Sequence, residues 1–371
     1  MKLLIQPGAG IEPLLAAISG AKKTVEIVIF RFDQKKIEQA LGEAVKRGVS
    51  VQALIAHTNR AGEENLRNLE MRLLSAGVTV SRTADDLVRY HAKYMIIDRR
   101  ELFVLAFNLT FLDIERSRSF GIVTRNRSLV TEAVRLFEAD TQRHPYESDR
   151  KELIVSPANS RQQLSALIKS AKKELLIYDL KISDQAMIRV MEARAKAGVN
   201  VRILGRITRK IPGVMVHKLA QMRLHARVII VDGKKAFVGS QSLRELEMDS
   251  RREVGVIVGE VKIVSAIHKV FEEDWALTQQ EMDATSQEDK PVSKVARKVA
   301  KAVSREMPLV IPALTGAVEE AVGGKKDLDI NPEEVEDILK VAVKEAVAGA
   351  LRNVVEKAIQ ENGSPAVEKD R

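Results

Sequence analysis

The chain has 371 residues, with 60 Lys and Arg against 51 Asp and Glu for a net charge of +9. Its 45% apolar content excludes a disordered chain, and its lack of cysteine excludes disulfides, thiol nucleophiles and thiolate metal sites. At this length two or more domains are expected.

The N-terminal apolar run, Leu3 to Ile5, ends at Gln6, Pro7 and Gly8 and is too short for a signal-peptide core. No stretch approaches the roughly 18 apolar residues of a spanning helix. The sequence reads as a soluble, cytoplasmic protein, with peripheral contact at a membrane surface left open. Ile11 to Ala21 has helical spacing, with Leu14, Leu15 and Ile18 on one face. Val25 to Phe30 is a buried strand. Ile37 to Arg47 is an amphipathic helix closed by Gly48, and Val49 to Ile55 is the next strand. Tyr94 to Ile97 and Leu102 to Ala106 are strands around a polar turn.

The pattern then repeats. Ala21-Lys22-Lys23 recurs as Ala171-Lys172-Lys173, and Gly48-Val49-Ser50-Val51 as Gly198-Val199-Asn200-Val201, both at an offset of 150. His91-Ala92-Lys93 matches His225-Ala226-Arg227, and Phe137-Glu138-Ala139-Asp140 matches Phe271-Glu272-Glu273-Asp274, both at 134. The single change of offset means that the second copy lacks 16 residues between Val201 and His225. Four matches in order argue for an internal duplication. Helices alternating with strands argue for two α/β sandwich domains, residues 1–150 and 151–280, packed around a pseudo-two-fold axis.

Residues 281–371 differ, having no Phe, Tyr or Trp. Gln279 to Pro291 reads as a polar linker. Val292, Val295, Val299 and Val303 keep helical spacing, and Asn331-Pro332-Glu333-Glu334 opens a helix reaching about Gln360. This helical extension suits docking on the body, docking on a partner copy in an oligomer, or lying on acidic lipid.

Charge is uneven. Residues 1–150 carry +4, residues 151–280 carry +9 and residues 281–371 carry −4. The middle segment, with Arg206, Arg209 and Lys210, suits a phosphate-bearing partner, either lipid or nucleic acid.

Each copy holds a His, a cation two residues on and an Asp seven residues on: His91, Lys93 and Asp98, then His225, Arg227 and Asp232. In extended backbone, positions i and i+2 share a face, so each His projects with its cation. One imidazole to attack phosphorus, another to protonate the leaving oxygen, and cations for the non-bridging oxygens are what a phosphodiester reaction needs. His57, His144, His217 and His268 have no partners at repeated positions. Glycine-rich phosphate loops and convincing metal-ligand spacings are absent.

The duplicated motif resembles the phospholipase D superfamily, marked by two copies of His-x-Lys-x4-Asp, each followed by Gly-Ser-x-Asn and a later Glu. The resemblance covers about residues 1–280. It implies a bilobal α/β sandwich with one active site at the pseudo-two-fold interface, a covalent phosphohistidine, and no metal or cofactor. The first copy carries His91, Lys93 and Asp98. Its Gly-Ser-x-Asn falls on Leu105-Ala106-Phe107-Asn108, and its Glu position holds Ser119. The second has Arg227 for Lys and Gly239-Ser240-Gln241-Ser242, and keeps Glu253, 28 residues after His225.

On this resemblance His91 is the nucleophile and His225 the general acid, with Glu253 or an Asp orienting a ring. Lys93, Arg227, Asn108, Ser240 and Ser242 hold phosphate oxygens, while Asp98 and Asp232 support turns. The implied activity is a phosphodiesterase or phosphatidyltransferase, with phospholipid the favoured substrate. A nuclease of the same superfamily and a phosphate-binding scaffold without turnover are the alternatives.

Overall fold

The computed structural model describes residues 1–57 and 63–287. The readings for residues 288–371 fall outside them. In chain order the first copy contains β1 (Lys2–Gln6), α1 (Glu12–Gly20), β2 (Thr24–Ile29), α2 (Lys35–Lys46), β3 (Ser50–Ile55), α3 (Glu63–Ser75) and β4 (Thr79–Arg82). It continues through β5 (Arg89–Tyr90), β6 (Tyr94–Ile97), β7 (Glu101–Leu105), α4 (Phe111–Glu115), β8 (Ser117–Thr124) and α5 (Arg127–Gln142). The second copy follows with β9 (Leu153–Val155), α6 (Ser160–Lys169), β10 (Glu174–Ile182), α7 (Gln185–Lys196), β11 (Asn200–Ile207) and β12 (Val214–His217). It ends with β13 (Arg223–Leu224), β14 (Val228–Val231), β15 (Lys235–Gly239), α8 (Glu245–Asp249), β16 (Arg251–Arg252), β17 (Val254–Val258) and α9 (Val261–Gln287). Helix α9 runs on to Gln287, so the stretch from Gln279 that reads as linker is helical to that point.

The first sheet has the order β1-β8-β7-β6-β2-β3-β4 and the second β9-β17-β15-β14-β10-β11-β12, so the two copies repeat one topology. In each, the β2-type strand pairs parallel with the next strand and antiparallel with the strand that follows the His. Both faces of these sheets are covered. Leu14, Ile37, Leu41 and Leu69 of α1, α2 and α3 pack on the outer face of the first, and Leu164, Ile188 and Met191 on that of the second. Between the sheets, Tyr94, Val104, Phe120 and Ile122 join Tyr178, Val228 and Val256, with Phe137 of α5 and Phe271 of α9, in one core. Burial on both faces explains why Val25 to Phe30 is an unbroken apolar run apart from Glu26, rather than an alternating one. Gly48 and Gly198 close α2 and α7 at φ +83° and +84°, the left-handed conformation that glycine adopts without a Cβ clash.

Helix α3 has no counterpart in the second copy. There β11 reaches β12 through residues 208–213, whereas the first copy inserts α3 between β3 and β4. The sequence gap at this point is therefore one missing helix.

The copies are clamped by two matching ion pairs. Arg118 donates through Nε and Nη2 to Asp274 at 2.8 and 2.9 Å, and through Nη1 to the Gln6 carbonyl at 3.1 Å. Arg252 donates through Nε to Asp140 at 3.1 Å and through Nη1 to the Ser156 carbonyl at 3.0 Å. Each pair joins one copy to the other, and both the arginines and the aspartates differ by 134 in number. Burial pushes Asp140 up to about 6 against the pull of Arg252, so desolvation outweighs the attraction of the partner.

Removing one member of such a buried pair strands the other. Asp140→Ala and Asp274→Ala are each expected to cost about 3–5 kcal/mol in urea-induced unfolding. A loss below about 1 kcal/mol would show that the clamp is dispensable.

Candidate active site

His91 and Lys93 lie in the extended link between β5 and β6, and His225 and Arg227 in the equivalent link between β13 and β14. Alternation places them: Ala92 and Ala226 point into the central core, leaving each His and its cation on the other face. Every link is fixed by the opposite copy. The N–H of His91 donates to the Arg252 carbonyl at 2.8 Å, extending the parallel pairing of β5 with β16. The N–H of His225 donates to the Arg118 carbonyl at 3.0 Å, extending that of β13 with β8.

All four side chains are buried. Lys93 Nζ donates to the His91 carbonyl at 2.6 Å, and Arg227 Nη1 to the His225 carbonyl at 3.1 Å. The Phe30 ring meets His91 edge-on at 4.4 Å between centroids and carries Lys93 Nζ 5.2 Å from its own centroid. Burial lowers both imidazoles well below the ordinary histidine value, and Lys93 and Arg227 each depress both rings. Each ring thus feels the other copy's cation as well as its own, which places the two motifs in one electrostatic cluster.

The rings differ in their acids. Glu253, fully buried on the second copy, holds Nδ1 of His91 with its two oxygens at 2.8 and 3.0 Å. Burial pushes Glu253 up to about 7, against the opposing effects of Lys93, the Ser240 hydroxyl and Arg227. With Nδ1 donating to this carboxylate, the tautomer assigned to His91 leaves Nε2 as a lone-pair donor. For His225 the corresponding position is Ser119, whose hydroxyl reaches only the His225 carbonyl, at 3.4 Å.

Asp113 lies beside His225 instead, its Oδ2 3.5 Å from Nε2. That oxygen also accepts from the backbone N–H and Nδ2 of Asn108 at 2.8 and 2.7 Å, while Oδ1 accepts from Arg223 Nη1 at 2.5 Å. Burial opposes its charge, but His225, Arg223 and the Asn108 N–H hold its carboxyl well below the usual carboxylate range. Its counterpart 134 residues on is Glu247, which accepts from the Ser242 N–H at 2.7 Å and from Arg251 at 3.3 Å.

The expected phosphate ligands sit just past the ends of β7 and β15. Asn108 keeps a buried Oδ1 without a partner. Ser242 accepts from Arg227 Nε at 3.4 Å. Ser240 lies beside Glu253 as well as the backbone of Val254. Its hydroxyl is engaged by Val254, accepting from the N–H at 3.1 Å and donating to the carbonyl at 3.3 Å. Asp98 and Asp232 lie away from the rings at turns with φ of 51° and 53°. They accept from the backbone N–H groups of Lys22, Lys23 and Thr24, and of Lys172, Lys173 and Glu174.

Among the described residues, Glu174, His268 and Glu272 bring metal-capable atoms within 4.8 Å of one another, a cluster that no spacing in the chain announces. Arg202 already pairs with Glu272 at 2.7 Å, and its guanidinium lies 3.6 Å from Glu174, so a cation is already supplied. Asp113, Glu247 and Arg223 escaped the sequence reading. The 134-residue offset that links Asp113 to Glu247 and Arg89 to Arg223 was the available signal.

The profile of the family described as cardiolipin synthase, PLD-like domain, matches residues 14–141 and 206–275. No curated protein matches the chain. Among solved structures, polyphosphate kinase from Porphyromonas gingivalis superposes with a TM-score of 0.62 at 19% identity, covering 73% of this chain and 49% of the other. The chain thus spans about half the length of that relative. Phosphatidylserine synthase from Haemophilus influenzae Rd KW20 gives a TM-score of 0.55 at 11% identity, covering 82% and 94%. Nuc, a phospholipase D family member from Salmonella typhimurium, covers 40% of this chain and 97% of its own at 21% identity, with a TM-score of 0.36.

Both imidazoles are expected to be uncharged at pH 8.5, above the value near 7 to which burial raises Glu253, with the His91 proton on Nδ1 facing the ionised carboxylate. Ring-nitrogen chemical shifts from 15N-labelled protein test this, and an imidazolium signature at His91 would contradict it.

Proposed function

The chain belongs to the phospholipase D superfamily, and we propose that it cleaves or transfers a phosphodiester through a covalent phosphohistidine on His91, with phospholipid as the substrate class. The observation that carries this reading is the buried Glu253 on Nδ1 of His91. It fixes the ring and leaves Nε2 as the nucleophile.

In the first step Nε2 attacks phosphorus, the N–P bond forms and the bond to the leaving oxygen breaks. His225 gives that oxygen its proton. Lys93 and Arg227 neutralise the non-bridging oxygens, where charge builds in the transition state. In the second step water or an acceptor alcohol yields a proton to His225, attacks phosphorus and displaces His91. Water gives hydrolysis and an alcohol gives transfer. His225 is disfavoured as imidazolium in the free protein, and the negative charge of an arriving diester favours it.

Exposed apolar side chains on the segments that carry the site support lipid. Phe111 on α4 is 50% exposed, Leu246 on α8 41% and Val88 just before β5 59%. Phe111 and Leu246 stand close in sequence to Asp113 and Glu247, and the Val88 N–H donates to the carbonyl of Ser250, which caps α8. Arg116 lies 5.9 Å over the Phe111 ring. Apolar surface beside cations suits an acyl chain next to an anionic headgroup, and a peripheral contact with the membrane surface. No described helix is long and apolar enough to cross a membrane. Nucleic acid is the second reading, favoured by the +9 charge of residues 151–280.

The test is turnover of labelled phospholipid vesicles and of single- and double-stranded DNA, with alkaline quenching to trap the acid-labile, base-stable phosphohistidine. Wild-type protein is expected to release headgroup and to carry label on His91, and His91→Ala to lose at least about 10³-fold. Label on His225 alone would reverse the roles. Cleavage of DNA with steep salt dependence would move the substrate to nucleic acid. No turnover on any substrate would leave a phosphate-binding scaffold.

A further inference from the structure

We infer that Asp113 is the positioning residue of His225, standing in for the carboxylate that the first copy lacks at Ser119. This rests on the proposed role of His225 as proton donor.

The pseudo-two-fold relation sets the expectation. Glu253 binds His91 across the seam, so position 119 should supply the acid for His225. Serine there is too short, and its hydroxyl reaches a backbone carbonyl instead of the ring. A buried histidine that must become charged would then face cations alone. Arg227 lies on its own link, Arg223 on β13 and Lys93 before β6, and all three oppose protonation. Asp113, from α4, is the acid that faces them, and it favours the charged ring.

The asymmetry between copies is built in. In the second copy Glu247 has the same relation to Ser242 that Asp113 has to Asn108, with Arg251 and Arg244 on its outer oxygen at 3.3 and 3.5 Å, and it too favours a charged His91; but His91 has Glu253 besides, whereas the acid in contact with His225 is Asp113. Position 117, the counterpart of Arg251, is Ser117, whose hydroxyl accepts from Arg223 Nη1 at 3.0 Å. Arg223 therefore takes the outer oxygen of Asp113, and the inner oxygen stays turned toward His225. At 3.5 Å the contact with Nε2 is one of charge rather than a hydrogen bond, so Asp113 favours the charged ring without holding its proton.

A merely structural Asp113 would brace the loop of Asn108 and nothing more. Three measurements on the full chain separate the two. The first compares Asp113→Asn on an alkyl diester, whose leaving group needs a proton, with bis(p-nitrophenyl) phosphate, whose leaving group does not. Turnover is expected to fall roughly 10²-fold on the alkyl diester and less than about threefold on the nitrophenyl ester. The second is the pH profile. A general acid works below its pKa, so losing a negative neighbour lowers that pKa and moves the falling limb of kcat to lower pH. Adding Ser119→Glu should move it back up and restore at least about tenfold. The third reads the ring directly. Ser119→Glu alone, which leaves every bond of Asp113 in place, should raise the midpoint of the His225 ring-nitrogen titration, and Asp113→Asn should lower it.

Equal losses on both esters, an unmoved limb or an unmoved ring titration would overturn the inference. Failure of the underlying reading looks different. In that case His225→Ala would keep full activity on the alkyl diester, or no phosphohistidine would form on His91.

Discussion

Two imidazoles must sit out of water, close to two cations, without either charge or geometry dispersing them. The structure meets this demand by making each copy the scaffold of the other's ring. The short pairings β5–β16 and β13–β8 pin the two histidine links by their backbones. The Arg118–Asp274 and Arg252–Asp140 pairs lock the same seam from both sides. Position therefore comes from backbone hydrogen bonds and buried ion pairs. Electrostatics come from the same residues: Arg252 and Glu253 are neighbours in sequence, one clamping the seam and the other holding His91.

The duplication is symmetric in architecture and unequal in chemistry. Both sheets follow one strand order, both turns use an Asp at positive φ, and both seams use an Arg–Asp pair. The departures concentrate around the rings. One copy supplies Lys93 and Asn108, the other Arg227, Ser242 and Glu253. Divergence of this kind suits two histidines with different tasks, since a nucleophile is best neutral and a proton donor must be charged when it acts. It also explains why degeneracy in the motifs need not mean a lost site: a gap at Ser119 is accompanied by an acid at Asp113.

Much of this was legible in the chain itself. The offsets of 150 and 134 fixed the duplication and located the missing segment, because insertions of a whole helix leave flanking motifs intact. Continuous apolar runs gave the strands, since a sheet covered on both faces has no polar side to betray its period. Other features were hidden. The Ser240 hydroxyl also accepts from the Val254 N–H, a partner that only the sheet register brings close. Asp113 carries no motif of its own, and its meaning depends on a fold that places α4 against a link more than a hundred residues away. Glu174, His268 and Glu272 meet for the same reason. Short-range spacing reports which residues share a face, and it is blind to which faces meet.

The reciprocal pinning of the two histidine links bears on how such a chain can arise and be rebuilt. Separated from its neighbour, either half would leave its histidine link without the backbone partner that the other half supplies. Two first halves would bring together a pair of Ser119 residues and no Glu253, and two second halves would bring two glutamates and two arginines but neither Lys93 nor Asn108. The linked chain is thus the smallest unit that holds both rings together with every group around them.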